Sequence, residues 1–206
     1  RKLEKYIVTR MITKKDTKNY NKICKEFINK NDLIDSKLTE IQEAEIQAGL
    51  ENITNKNAAL LLFWVELFRR DKDTKQSMKE LKFVYSLEHI MPQKWEEYWT
   101  LIPVVDEKGI DISNNENAKT FRFNKIYSIG NMTLLNSSLN TSLRNYTIDR
   151  KIAGDGRKKG IKDYADLTIT RDDILSPFEK GDIVWNEKKI YDRTNSLGKE
   201  IIEIWN

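Results

Sequence analysis

Residues 86–95 read SLEHIMPQKW and contain His89, the sole histidine among 206 residues. The surrounding run FVYSLEHIM (83–91) is β-branched and aromatic with short alternation, the pattern of a strand. Pro92 ends it, because proline has no N–H to give to a ladder. A second short strand is expected at IGNMTLL (129–135), where Gly130 marks a turn or a close backbone approach. The stretch NSSLNTSLRNYTIDRKIAG (136–154) then reads as one helix: Leu139, Leu143, Tyr146 and Arg150 fall at helical spacing, and Gly154 supplies the stop. Between the strands lies a polar excursion whose least ordered-looking part is VDEKGIDISNNEN (105–117).

Upstream the chain reads as helical. Leu3, Tyr6, Ile7 and Met11 share one helix face, Tyr20, Ile23, Cys24, Phe27 and Ile28 a second, and Ile41, Ile46 and Leu50 a weaker third. KNAALLLFWVELFRRD (56–71) is apolar nearly all round, which predicts a buried helix ending near Arg69 or Arg70, with the basic end suiting the helix dipole. Helices are also expected over Asp163–Leu175 and from about Glu187 to Trp205.

Composition narrows the function classes. Hydrophobic residues at 39%, with five Trp and eight Tyr, argue against disorder, and charged residues at 33% argue against a membrane protein. No apolar run approaches the ~18 residues that would span a bilayer. The single cysteine, Cys24, leaves no intramolecular disulfide and no cysteine-based zinc cluster, which points to an intracellular protein. The opening RKLEKYIVTR has neither an initiator Met nor a signal-peptide pattern, so the chain is expected to be part of something longer. The net charge of +4 is unevenly placed. From Lys119 to Lys162 there are ten basic residues against Asp149 and Asp155, a local +8, so the remainder is net acidic. Such a field attracts polyanions, nucleic acid among them, although a solvated basic surface reads equally well from charge alone.

A strand carrying an acid and a histidine, a second strand bearing Gly-Asn, and a helix presenting another Asn together resemble the His-Me finger, or HNH, nucleases. LEHIMPQ (87–93) matches that superfamily's order of acid, histidine, hydrophobic, any residue, proline, and resembles the corresponding strand in the HNH domain of CRISPR effector nucleases. Asn131 and Asn140 stand nine positions apart, as do the two asparagines of that domain. The likeness extends to the C-terminal nuclease domain of GmrSD-type, modification-dependent (type IV) restriction enzymes. It rests on EKYIVTRMITKKDTKNYNKI (4–23), LEHIMPQKW (87–95), SIGNMTLLNSSLNTSLRNYTIDRK (128–151) and IYDRTNSLGKEIIEIW (190–205), and is thinnest across Asn31–Lys56 and Tyr98–Asn117.

The fold expected is therefore α+β and mainly helical, with a ββα-metal element embedded in a helical domain. Residues 1–82 would be a helical N-terminal part, 83–154 the nuclease core with its inserted loop, and 155–206 a C-terminal helical part packing on that core.

The chemistry follows from the residues available. Phosphodiester hydrolysis needs a base to take a proton from water and a cation to offset charge on the phosphate and the departing oxygen. Histidine, with an unperturbed pKa of ~6.5, supplies such a base near neutral pH, and His89 is the only one present. A hard cation such as Mg²⁺, with Mn²⁺ as an alternative, keeps several waters and accepts one carboxylate and one amide oxygen. Glu88 and Asn140 meet that need, and the resemblance gives them the metal; zinc is disfavoured for want of nitrogen and sulfur ligands. Glu88 stands where many relatives carry Asp. Adjacent strand residues point to opposite faces, so Glu88 and His89 meet one phosphate from different sides unless the strand bends or ends.

Asn131 is expected to fix the imidazole or the turn beside it, although taken alone it reads more readily as a plain turn residue after Gly130. Asn140 alone is equally a helix cap. Lys151, Arg144 and Asn145 are candidate DNA contacts, or else solvated helix residues.

The resemblance implies a DNA endonuclease or nickase in bacterial phage defence, cytoplasmic, acting on modified phage DNA and joined to an N-terminal NTPase-like module. Two rivals stand beside it: a catalytically inactive DNA-binding or protein-interaction domain that keeps the nuclease frame, and an RNA-directed nuclease.

Overall fold

The computed structural model describes residues 2–13, 21, 25, 43–73, 81–137, 139 and 143–205. Among the described residues the chain is mainly helical around one two-stranded antiparallel sheet. Three helices come first among them: α1 (Lys2–Thr13), α2 (Glu43–Leu50) and α3 (Asn55–Lys72). The helix expected on Tyr20, Ile23, Cys24, Phe27 and Ile28 lies outside the described residues, as does Ile41.

α3 begins at Thr54, whose hydroxyl accepts the N–H of Asn57, and runs slightly past Arg70. It is not buried all round. Leu61, Leu62 and Val65 are sealed in the core, whereas Leu60 and Trp64 on the outer side are 41% and 40% exposed. A run of apolar residues sets the helix type here but not how many neighbours arrive to cover it.

Strands β1 (Tyr85–His89) and β2 (Met132–Asn136) pair with Leu87 opposite Leu134, Glu88 opposite Thr133 and His89 opposite Met132. Cross-strand partners share a face, so Glu88 and His89 point to opposite sides of the sheet. One apolar core gathers α1, α2 and α3 with Met132 and Leu134. The other gathers Ile90, Met91, Trp95, Trp99 and Leu135 with Leu139, Leu143, Ile148, Ile152 and Trp185. The last long helix, α8 (Glu187–Trp205), serves both: Ile190 enters the second core, while Leu197, Ile201 and Trp205 enter the first.

Side chains occupy the outer edge of β2 and the residues just before it. Arg193 of α8 donates from Nη1 to the carbonyls of Gly130 (2.8 Å) and Met132 (2.6 Å), and the Thr170 hydroxyl donates to that of Leu134 (3.2 Å). Gly130 is the close approach that the sequence marked. A Cβ there would sit 2.1 Å from the Ile190 carbonyl and 2.4 Å from the Thr194 hydroxyl, which accepts the Gly130 N–H.

The excursion between the strands is built by its own side chains. Asp106 Oδ1 accepts the N–H groups of Lys108 (2.8 Å) and Ile110 (2.9 Å), and Val105 bridges Asp111. Helix α4 (Ala118–Ile126) follows, and its Arg122 ties the segment down by donating to the carbonyls of Trp99, Ile102 and Pro103 while pairing with buried Glu187 of α8.

The helix expected over 136–154 is broken. Ser137, Leu139 and Leu143 are helical, Arg144 turns left-handed at φ 48°, and α5 (Ile148–Ala153) starts afresh after Thr147. The Trp99 indole takes the freed carbonyls of Asn145 and Tyr146, which gives the break a partner. Gly154 ends α5 at φ 82°, as its position predicts. The tail holds α6 (Thr168–Thr170), a π-helical stretch (Arg171–Leu175), α7 (Ser176–Glu179) and α8.

Gly130→Ala should cost about 1–3 kcal/mol or more, because the clash is with backbone. Gly198→Ala meets only the flexible Gln47 side chain and should cost less; urea denaturation of the two variants checks the order.

Candidate active site

The end of β1 brings together three of the residues expected to act. Glu88 is buried, and the ammonium of Lys151 from α5 pairs with its Oε1. The same ammonium donates to the backbone carbonyl of His89 at 2.7 Å. Lys151 has 0% of its surface exposed, so it does not offer its charge to a DNA phosphate in this arrangement. The expectation of a surface contact there gives way to an internal one: α5 turns this face to the second core, where Ile148 and Ile152 lie. Burial pushes the Glu88 carboxyl above its usual range and the Lys151 ammonium below its own, each by more than the partner's charge restores.

His89 lies across the sheet from this pair. Its ring meets that of Tyr127 edge to face, with centroids 6.2 Å apart. Burial, helped by the positive charge of Lys151, holds the imidazole down at about 4. The ring is therefore neutral at pH 7 and keeps one unprotonated nitrogen. Its Nε2 is shielded from solvent and has no hydrogen-bond partner.

Asn131 is fully buried and closes the turn after His89 rather than touching the imidazole. Its Oδ1 accepts the Met91 N–H (2.9 Å) and the Trp185 indole N–H (3.1 Å). Its Nδ2 donates to the carbonyls of Met91 (2.8 Å) and Ile126 (3.0 Å). Of the two roles left open for this residue, the geometry matches the turn.

Asn140 lies outside the described residues. Arg144 is exposed at the helix break, and Asn145 beside it donates to Glu97 at 2.9 Å. Part of the basic segment is not free surface. Arg122, Lys125 and Lys151 are buried and committed to acidic partners, which leaves Lys119, Arg144, Arg150, Arg157, Lys158, Lys159 and Lys162 toward solvent.

Among the described residues no three His, Cys, Asp or Glu side chains cluster to hold a metal. The Glu88 carboxylate is taken up by Lys151 and faces away from the His89 ring, so the two do not form a shared cation site in this arrangement, and they lack the nitrogen and sulfur set of a zinc cage. Tyr127 and Trp185 are site residues that sequence reasoning missed. Trp185 stands 54 positions from Asn131, and no local spacing announces such a contact.

The family model described as GmrSD restriction endonucleases, C-terminal domain, matches residues 35–200, most of the chain. The chain belongs to that family. It is thus a restriction endonuclease domain, with nuclease activity and DNA as the substrate of its class. No curated protein and no solved structure matches it. Among the described residues no helix is long and apolar enough to cross a membrane.

Removing one partner of the family member's buried ion pair should be costly. Lys151→Met leaves the Glu88 carboxylate without its counter-charge and should lose about 3–5 kcal/mol, while the double variant Glu88→Gln/Lys151→Met should recover part of it, as read by urea denaturation.

Proposed function

We propose that this family member is a metal-dependent DNA endonuclease or nickase domain of the HNH type, with residues 83–154 as its nuclease core. The observation that carries the reading is the match of residues 35–200 to the restriction endonuclease family, with His89, a neutral imidazole, standing at the end of β1. In this reading His89 is the general base that takes the proton of the attacking water. Glu88, exchanging its Lys151 partner for the ion, and Asn140 would hold Mg²⁺, or Mn²⁺ in its place, and that ion would offset charge on the phosphate.

Asn131 is a positioning residue, since it ties Met91 to α4 and so fixes where β1 ends. Lys151 takes the same kind of role, holding Glu88 and the His89 carbonyl; both groups act through others. Phosphate contacts then fall to the exposed basic residues, Arg144 first, with Asn145 beside it. Family membership supports the wider setting: a cytoplasmic bacterial enzyme of phage defence, acting on modified DNA under the control of an N-terminal NTPase-like module.

One observation favours the second reading, in which the frame binds DNA without cutting it. The Nε2 atom is shut off from solvent, and a base must reach its water directly or through one other.

A plasmid assay separates the two. Wild type should nick or cut with Mg²⁺ or Mn²⁺ and stop in EDTA, and His89→Ala should cut at least ~100-fold more slowly with DNA affinity unchanged. Equal DNA binding by both proteins with no cutting under any metal establishes the inactive reading instead.

A further inference from the structure

Tyr127 makes two edge-to-face contacts, one with His89 at 6.2 Å and one with Phe123 at 5.2 Å between centroids. With Ala48, Glu51, Asn52, Phe123 and Asn124 it also lines a cavity of about 560 Å³ between the end of α2 and α4. Phe123 is 49% exposed, an aromatic face turned outward at the wall of a polar opening. Among the described residues the carboxamides of Asn52 and Asn124 have no hydrogen-bond partner. Glu51 is not a bare anion, since the Lys125 ammonium lies 3.3 Å from it.

These features suit a planar, polar-edged ring. An aromatic face stacks any base, free carboxamides offer both donor and acceptor to a base edge, and a carboxylate accepts from an exocyclic amine. The size falls among single-ligand sites and is too small for a duplex. Base faces become accessible only when the base leaves its stack.

The geometry points to a nucleobase subsite: one unpaired base of the DNA strand enters this cavity and stacks on Phe123, with Asn52, Asn124 and Glu51 at its edge. The subsite rests on the proposal that His89 marks the scissile phosphate. From the His89 ring through Tyr127 to Phe123 is roughly three strand steps of ~3.4 Å, so the base taken lies within about three nucleotides of the cut.

The test is binding of full-length protein, in EDTA so that nothing is cleaved, to a single-stranded DNA oligonucleotide and to versions with an abasic sugar at each position in turn. Phe123→Ala should weaken binding to the intact strand about 5- to 150-fold, the effect of losing one base stack, and Phe123→Trp should restore it. One abasic position should weaken wild type by the same factor and leave Phe123→Ala unaffected. Equal affinity of wild type and Phe123→Ala, or a loss that does not depend on any single base, overturns the subsite. Failure of the nuclease reading appears elsewhere, as wild type that binds DNA and never cuts it.

Discussion

The carboxamide of Asn131 makes every hydrogen bond it is capable of making, and makes all of them inside the protein. Four segments meet on it: the turn after His89, the end of α4, the start of β2 and the loop before α8. Each alternative position of any one segment would strand a buried donor or acceptor, at about 1–3 kcal/mol per group. That constraint makes the end of β1 a defined place rather than a fraying one, and the residues of the candidate site take their positions from it.

Electrostatics in this molecule run inward more than the composition suggests. Arg122 with Glu187, Lys151 with Glu88, and Arg193 with Asp173 are all ion pairs in which at least one partner is sealed from water. Each of these cations also donates to backbone carbonyls, so it serves as a splice between chain segments that have no secondary structure in common. Arg69 does likewise between helices, bonding both Asp173 and Glu200. A counting of charges along the chain overstates the field offered to DNA, because it cannot tell which charges pair off in space.

The strands, α1, α3 and α8 were legible because each follows from local periodicity, and the end of α5 because Gly154 is a visible stop. The break at Arg144 was not: Leu139, Leu143, Tyr146 and Arg150 keep helical spacing across it, and what favours the break is an indole from Trp99, far upstream. His89 and Glu88 could be singled out because one is unique and the other adjacent. The burial of Lys151 was legible only in part: helical spacing puts it on the face of Ile148 and Ile152, away from Arg150, but its partner Glu88 lies 63 positions upstream. Contacts at long sequence separation decided the parts that periodicity missed, Trp185 on Asn131 above all.

The outer edge of β2 is satisfied by Arg193, 61 positions after Met132. On a ribosome, therefore, both strands of the sheet that carries the histidine are made well before the arginine that seals it. Through that interval the nascent protein bears an open strand edge, a template for pairing with a neighbouring copy. Synthesis of α8 is what ends that vulnerability, and the same helix supplies apolar side chains to both cores.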